Sequence, residues 1–343
     1  MTSISISPDS RHIVSGSYDH TVRIWNFSTG EEERVLRGHS YIVTSIAISL
    51  DKLHIVSGSD DKTVRIWNFL TGEEEHVLRG HSCEVTSVTV SLNNHIVSGS
   101  TDHTVRIWDL STGEEERILL LDEAVISLAV SPDNCHIVSG SYNIIQMWNF
   151  LTGEQEHIFK VHSLCTVAIS PDSRHVMSGY DYGVQIWNLS TGEEEHVFPH
   201  SRPVMSISAS PDNSHVVFGS SDNTIQIWSL STGECVRILQ GHSGFVNSVA
   251  VSPDNRHIIS GSYDTTIRIW SSSTDEEETV SSYVNVKPWA VAISPDNRLV
   301  VIGSQDRTVR IVISYLVLWT IPFESGIHRQ AKKSAFFEVI IAG

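Results

Sequence analysis

Serine, histidine and aspartate recur together in this chain at spacings that could support nucleophilic catalysis. His39, Ser57 and Asp61 form one such set, and the same residue types return in the same order further along. In hydrolases a histidine takes the proton of a serine hydroxyl while an aspartate orients that histidine. An active site is needed once, whereas this set returns about every forty residues, as a repeat would. The recurrence therefore favours a buried polar network in each repeat over a catalytic triad.

The histidines and cysteines of the chain are candidate metal ligands. Of 18 histidines, seven occupy one equivalent position of successive repeats: His12, His54, His95, His136, His175, His215 and His257. Ligands of one metal must converge within about 2.1 Å of a point, which residues on separate repeats do not do. The four cysteines are far apart and form no C-x-x-C pair. We expect no metal, no cofactor and a reducing location, cytoplasmic with the nucleus as alternative.

The charge balance restricts the class of partner. A net charge of −17 leaves no basic surface for phosphates, so nucleic acid and anionic membranes are not expected partners. The N-terminus has no secretory signal pattern, and the longest apolar stretch, 311–323, is shorter than the roughly 18 residues of a membrane helix. Acidic runs are predicted to form a solvated rim, with docking of a basic partner as the alternative; they lie at 31–33, 73–75, 114–116, 193–195 and 275–278.

An internal repeat positions all of these residues. Tryptophans at 25, 67, 108, 148, 187, 228 and 270 each close a phrase such as HIVSGSDDKTVRIW, and an eighth copy ends at Val312. Within one unit, 43–49, 54–59 and 63–67 read as strands separated by short turns, and 76–81 as a fourth. Such a four-stranded antiparallel sheet has two apolar faces, so successive sheets must stack and close into a ring.

The repeat resembles the WD-repeat (transducin-β-like) β-propeller family. Gly-His pairs at 38–39, 80–81 and 241–242 are followed 21 or 22 residues later by an aspartate and then by the tryptophan. The chain is also similar to the repeat arrays of fungal NACHT-domain sensor proteins. The fold expected is all-β, a closed β-propeller of four-stranded antiparallel blades within 1–323, with eight blades favoured and seven as the alternative.

The resemblance implies that four side chains of one unit form a buried hydrogen-bonded tetrad. Matched by motif, the structural tetrads are His39, Ser57, Asp61 and Trp67; His81, Ser98, Asp102 and Trp108; His242, Ser260, Asp264 and Trp270; and, as a looser set, His162, Ser178, Asp181 and Trp187.

Three units depart from the pattern and are expected to rely on apolar packing. Unit four has Leu120-Leu121 for Gly-His, unit six has Phe218 for the strand serine, and unit eight has Val312 for tryptophan. Unit one begins inside its first strand, so 313–323 is expected to be the outer strand that closes the ring, unless the chain is a fragment of a longer array. The tail 324–343 does not match the repeat and is predicted to be poorly ordered.

The function expected is that of a non-catalytic protein-protein interaction scaffold, a monomeric platform for a protein or peptide. A propeller enzyme with a central-channel site is the alternative, as is a sensor fragment of a larger NACHT-type protein. Serine and small aliphatic residues in every first strand argue against catalysis. In the family, partners contact the top face beside the turn aspartate and at the start of the innermost strand; transferred by motif, the partner-binding residues are Tyr18, Tyr142, Tyr180, Met205, Phe245, Tyr263 and Trp289.

Overall fold

Eight four-stranded antiparallel sheets follow one another along the chain, one for each repeat. The computed structural model describes residues 3–161, 163, 166–274, 277–282, 288–297, 299–304, 309–313 and 338–341, with the backbone alone at 277–282, 289, 299, 304, 309–313 and 338–341. No helix occurs among these residues, and hence none that could cross a membrane. The all-β, four-stranded antiparallel prediction is confirmed.

Each sheet is a meander in which sequential strands pair. The first four sheets contain β1 Ser3–Ile6, β2 His12–Gly16, β3 Thr21–Asn26 and β4 Glu32–Arg37; β5 Val43–Ile48, β6 His54–Ser59, β7 Thr63–Asn68 and β8 Glu74–Arg79; β9 Val85–Val90, β10 His95–Ser100, β11 Thr104–Asp109 and β12 Glu115–Leu120; and β13 Ser127–Val130, β14 His136–Gly140, β15 Ile144–Asn149 and β16 Gln155–Lys160.

The other four sheets repeat this order. They contain β17 Thr166–Ile169, β18 His175–Tyr180, β19 Gly183–Asn188 and β20 Glu194–Pro199; β21 Val204–Ala209, β22 His215–Ser220, β23 Ile225–Ser229 and β24 Cys235–Leu239; β25 Val246–Val251, β26 His257–Ser262, β27 Thr266–Ser271 and β28 Glu277–Ser282; and β29 Pro288–Ile293, β30 Leu299–Ser304, β31 Val309–Ile313 and β32 Glu338–Ile341.

The outer strand of the eighth sheet comes from a different segment than the sequence suggested. Strand β32 pairs with β31, Val309 opposite Ile341. Apart from Ile313, the segment 313–323 expected at this position lies outside the described residues. The β-branched residues Val339, Ile340 and Ile341 suit a strand, although they lie in the tail for which poor order was expected.

The hydrophobic core lies between successive sheets. Val14, Val22 and Leu36 of the first sheet pack against Val43 and Trp67 of the second, and the later sheets pack in the same way. Each repeat tryptophan therefore fills space against the preceding unit. Neither sheet buries its apolar face alone, so the fold requires the neighbour.

First strands of neighbouring units lie side by side and are linked through serine. The Ser45 hydroxyl accepts from the Val88 N–H at 3.1 Å, and equivalent bonds join Ser206 to Val249 and Ser248 to Val291. These bonds satisfy edge N–H groups that the meander leaves unpaired. They give a structural reason for the serine-rich first strands.

Turns at the two ends of each sheet differ in position. The bottom turns connect strands one to two and three to four; the top turns connect strands two to three and one unit to the next. Residues with positive φ recur in them, such as Gly72 at +75° in a bottom turn and Lys62 at +70° in a top turn. A Cβ at Gly72 would lie 3.0 Å from Leu36 of the preceding unit, so glycine is required there on both grounds.

Candidate functional site

Three units bring the predicted tetrad side chains together within hydrogen-bond distance. In unit two, His39 Nδ1 lies 2.8 Å from Asp61 Oδ2 and His39 Nε2 lies 2.7 Å from Ser57 Oγ. Trp67 Nε1–H donates to the same hydroxyl at 2.8 Å. The sets around His81 and His242 have the same bonds at 2.8 to 2.9 Å.

The hydrogen bonds among serine, histidine and aspartate match those of a hydrolytic triad, but the surroundings do not. Ser57 is fully buried, and its hydroxyl both bonds His39 and accepts from Trp67. A Cβ on Gly38 would come within 2.9 Å of the Trp67 ring, so the chain entering the unit packs directly on the indole. A substrate cannot reach this hydroxyl, and the arrangement can hold strands together but cannot attack a bond.

The aspartate of each complete tetrad is held as a carboxylate. Burial on its own raises the pKa of Asp264, but hydrogen bonds from Thr266 and the Ser243 N–H, together with neighbouring His242, lower that pKa to about 2. The pKa values of Asp61 and Asp102 are lowered through equivalent partners. Burial lowers the pKa of His81, which favours its neutral form. In unit three the tetrad thus contains a neutral His81 that donates to a charged Asp102.

The looser fourth set is only partly within the described residues. Ser178 and Trp187 are buried in sheet five, whereas His162 lies outside the described residues. Among the residues that the structure describes, the Ser178 hydroxyl has no hydrogen-bond partner. The top-turn residue Asp181 is half-buried.

Unit six, which was expected to rely on apolar packing, packs Phe218 and Trp228 in a buried apolar cluster and also contains a polar network that was not expected. Trp228 Nε1–H donates to Gln226 Oε1 at 2.9 Å, and Gln226 Nε2 lies 3.0 Å from His200 Nδ1. His200 Nε2 bonds Ser220 Oγ at 2.7 Å. Gln226 stands where unit two has Arg65, so it replaces the acceptor lost at Phe218. The sequence indicates this replacement, since unit six reads TIQIW where unit two reads TVRIW.

Unit four also retains part of the network. Trp148 Nε1–H donates to Ser139 Oγ at 3.0 Å, and Gln146 donates to Gln155 at 3.1 Å. Here too, hydrogen bonds supplement the expected apolar packing, because the strand serine and the tryptophan suffice for one bond without histidine. The side chain of Val312 in unit eight lies outside the described residues.

The repeated histidines of the second strands pair within their own units rather than with one another. His54 Nε2 lies 3.2 Å from Glu75, and His175 Nε2 lies 3.0 Å from Glu195. His12, His95 and His136 pair in the same way with Glu33, Glu116 and Glu156. Across the described residues, no three His, Cys, Asp or Glu side chains form a group suited to a metal.

Individual glutamates of the acidic runs bond side chains on neighbouring strands of the same sheet. Their second glutamate meets the third strand, as in the ion pairs of Arg65 with Glu74 and Arg106 with Glu115. In units one, two and five the third glutamate bonds the histidine just described and also an asparagine, as Asn68 does with Glu75 at 2.8 Å. Only the first glutamate is left for solvent. Sequence reasoning treated the whole run as a rim and missed these cross-strand bonds.

The predicted partner-binding residues lie at the top turns. Tyr18, Tyr142 and Phe245 are about half exposed or more, at 50%, 63% and 49%, and Met205 is exposed as well. Tyr263 and Tyr180 are half-buried. The rings of Phe245 and Tyr263 meet edge to face with centroids 5.9 Å apart. The Trp289 side chain lies outside the described residues.

The predicted partner-binding residues did not include two exposed aromatic side chains of the top turns. Tyr41 is 61% exposed and its ring centroid is 6.2 Å from that of His20, which links units one and two. Tyr182 follows the turn aspartate of unit five. Both flank motif positions by one or two residues, and a scan of every aromatic near the motif would have found them.

Comparison with known families agrees with this geometry. Residues 69–311 match the family model described as the IFT122 first beta-propeller, and residues 1–26 and 30–68 match the WD domain, G-beta repeat. No curated protein matches the chain. The first match covers most of the chain and the second covers the units before it. The recurring Gly-His, aspartate and tryptophan, the four-stranded sheets and these matches together show that the chain belongs to the WD-repeat β-propeller family.

Proposed function

We propose that the eight sheets are the blades of a closed ring. Support comes from the two ends of the array: strand β29 lies beside β1, and Val301 packs with Ile13 and Trp25 of the first unit. On this proposal residues 1–323, completed by β32, form one propeller. Single-particle images viewed down the ring axis test it, since a seven-bladed ring with unit one or eight detached would contradict it.

The ring is proposed to be a non-catalytic interaction scaffold that binds a protein or peptide on its top face. WD-repeat propellers in general are protein-interaction scaffolds. The observation that carries the proposal is the exposure of Tyr18, Tyr142 and Phe245 at the top turns, with the half-buried Tyr263 packed edge to face against Phe245. Exposed aromatics are common anchors of protein interfaces. A monomer in the cytosol is proposed, and the described cysteines Cys83, Cys135 and Cys235 are free.

The tetrads are proposed to serve this function indirectly. Each ties the connection entering a unit to the second and third strands, as Asp61 does by accepting from the Ser40 N–H at 3.0 Å. Top-turn residues next to the aspartate are thereby held in fixed positions. A rigid surface loses less conformational entropy when it binds a partner.

The proposed function is tested by comparing partner recovery by the intact chain and by Tyr263→Ala. Partners identified by quantitative mass spectrometry are then titrated as purified proteins. Tyr263→Ala should weaken binding by about 1 to 2 kcal/mol without changing the melting temperature. Ile158→Ser, at an exposed position of the outer strand β16, serves as the control and should bind as the intact chain does. If Tyr263→Ala binds every partner normally, the top-face proposal is wrong.

A further inference from the structure

Exposed leucines gather at the bottom turns of units two to four. The leucine sector consists of Leu50, Leu53, Leu70, Leu92 and Leu151, with exposed fractions from 47% for Leu53 to 82% for Leu151. Units one, five, six and seven carry proline at the position of Leu50, arginine or serine at that of Leu53, and serine at that of Leu70. The same turns thus fold with other residues, and the leucines are not needed to form them.

The leucines of unit two form a line across its bottom turns. The Phe69 N–H donates to the Leu53 carbonyl at 2.7 Å, which joins the turn carrying Leu50 and Leu53 to the turn carrying Leu70. Unit three adds Leu92 beside Leu50, because first strands β5 and β9 run side by side through the bond from Val88 N–H to Ser45.

Unit four continues the sector. The Leu92 N–H donates to Asn134 Oδ1 at 3.0 Å, so the turns of units three and four touch. The Phe150 N–H bonds the Cys135 carbonyl at 2.8 Å, which brings Leu151 to the same group of turns. The five leucines therefore lie on connected turns of three successive units.

The charges around the sector are mostly negative. Glu73, Glu114 and Glu154 begin the acidic runs of these same units and are exposed. Their carboxylates make no hydrogen bond or ion pair with any residue that the structure describes. Of the nearby cations, Lys52 pairs with Asp9 at 3.5 Å, while Arg34 and Arg117 donate to the carbonyls of Thr71 and Leu151 at 3.1 and 2.7 Å. A partner here must supply both apolar side chains and positive charge.

We propose that the leucine sector is a second docking surface, which binds a basic amphipathic helix of a partner protein. Leucine-like side chains on one face of the helix would cover the sector, while lysine or arginine at its margins would reach Glu73, Glu114 and Glu154. A helix fits better than an added strand because the backbone of these turns is already hydrogen-bonded and offers no free edge. The surface lies at the opposite end of the sheets from the top face and does not depend on the function proposed there.

The probe is a fluorescent peptide of about 18 residues, five helical turns, with leucine on one face and lysine on the other. The control peptide has the same sequence with glutamate in place of lysine. We expect the full chain to bind the lysine peptide, by fluorescence anisotropy, and to leave the glutamate peptide unbound. Equal binding of the two peptides would overturn the proposal.

Variants then locate the binding. The triple variant Leu53→Ser, Leu70→Ser and Leu151→Ser uses the residue that other units have at these positions, and it should bind the lysine peptide about tenfold more weakly or worse. Leu120→Ser changes an exposed leucine on outer strand β12 and should bind like the unaltered chain. Glu73→Gln with Glu154→Gln should weaken binding and reduce its dependence on salt, which gives a second test if the triple variant folds poorly.

Two further results would overturn the proposal. One is peptide binding that is unchanged in the triple variant and in the glutamate variant. The other is an unaltered chain that is dimeric in analytical ultracentrifugation and becomes monomeric in the triple variant without loss of peptide binding, since the sector would then be covered by a second copy.

Discussion

The same polar side chains make the same hydrogen bonds in several units. This recurrence indicates that they have a structural role and not a catalytic one. The serine, histidine and aspartate of unit two have the bonds of a triad, yet the serine hydroxyl is buried and also bonded to Trp67. In unit six, Gln226 accepts from the tryptophan N–H and bonds His200 in place of the serine. What recurs is the need to satisfy the indole N–H and the histidine nitrogens in a buried place.

Gln226 provides a test of this need. Gln226→Leu should cost about 1 to 3 kcal/mol, because the buried Trp228 N–H and His200 Nδ1 would lose their partner. Gln185→Leu is the matched control in unit five, where the amide donates to solvent-exposed Glu194, and it should cost less than about 0.5 kcal/mol. Urea unfolding of both variants measures the difference. Equal costs would show that the unit-six network contributes nothing.

The tetrad aspartates predict how stability changes in acid. The pKa of Asp264 is about 2 in the folded chain and ordinarily 3.8. A lowered folded pKa stabilises the protein above pH 3.8, and that contribution is lost as the pH falls toward 2. Asp264→Asn should therefore be less stable than the unaltered chain at pH 7, with the gap closing between about pH 4 and pH 2. Urea midpoints across this range measure it, and a constant gap would contradict the prediction.

At the scale of the element, each unit depends on turns with a residue of positive φ. Top turns use His20, Lys62, His103, Asn223 and Thr265 at this position. A β-branched residue is strained in this conformation, whereas asparagine adopts it readily. The repeat thus contains both good and poor residues for one turn geometry.

Exchange between units six and seven isolates this strain. Thr265→Asn should raise the free energy of unfolding by about 1 kcal/mol, and Asn223→Thr should lower it by a similar amount. The two positions have φ of 67° and 74° in equivalent turns, so each variant is the control for the other. Changes of the same sign in thermal unfolding would refute the assignment to backbone strain.

For the whole molecule, stability depends on contacts between units. Buried side chains lie between sheets, and serines of the first strands bond the next unit. The eighth sheet meets the first through Val301, Ile13 and Trp25. Loss of order in one unit therefore exposes the apolar face of its neighbour.

Removal of residues 338–343 tests the outer strand of the last sheet. Without β32, strand β31 would have an unpaired edge, so the melting temperature should fall. The double variant Val339→Ser and Ile340→Ser keeps the chain length and gives a second measurement of the same strand. A melting temperature unchanged by the deletion would show that this strand adds no stability.

How much could be predicted from the sequence depended on whether the signal was local. The period of the tryptophans, the alternation of apolar residues and the Thr-Gly turns define strands and units within about forty residues, so the four-stranded sheets followed from the sequence. The same spacing assigns His39, Ser57, Asp61 and Trp67 to one unit. Because the units are nearly identical, each of these patterns can be recognised in the sequence.

Only the tertiary structure decided what joins distant segments. Strand β32 comes from the tail, 25 residues beyond the end of β31 at Ile313, and no local pattern indicates such a pairing. Gln226 takes the place of a serine on another strand because the two side chains share a buried space. The leucine sector forms because turns of three units, each unremarkable alone, lie side by side. Such contacts depend on how sheets pack, and packing is not encoded in the spacing within one repeat.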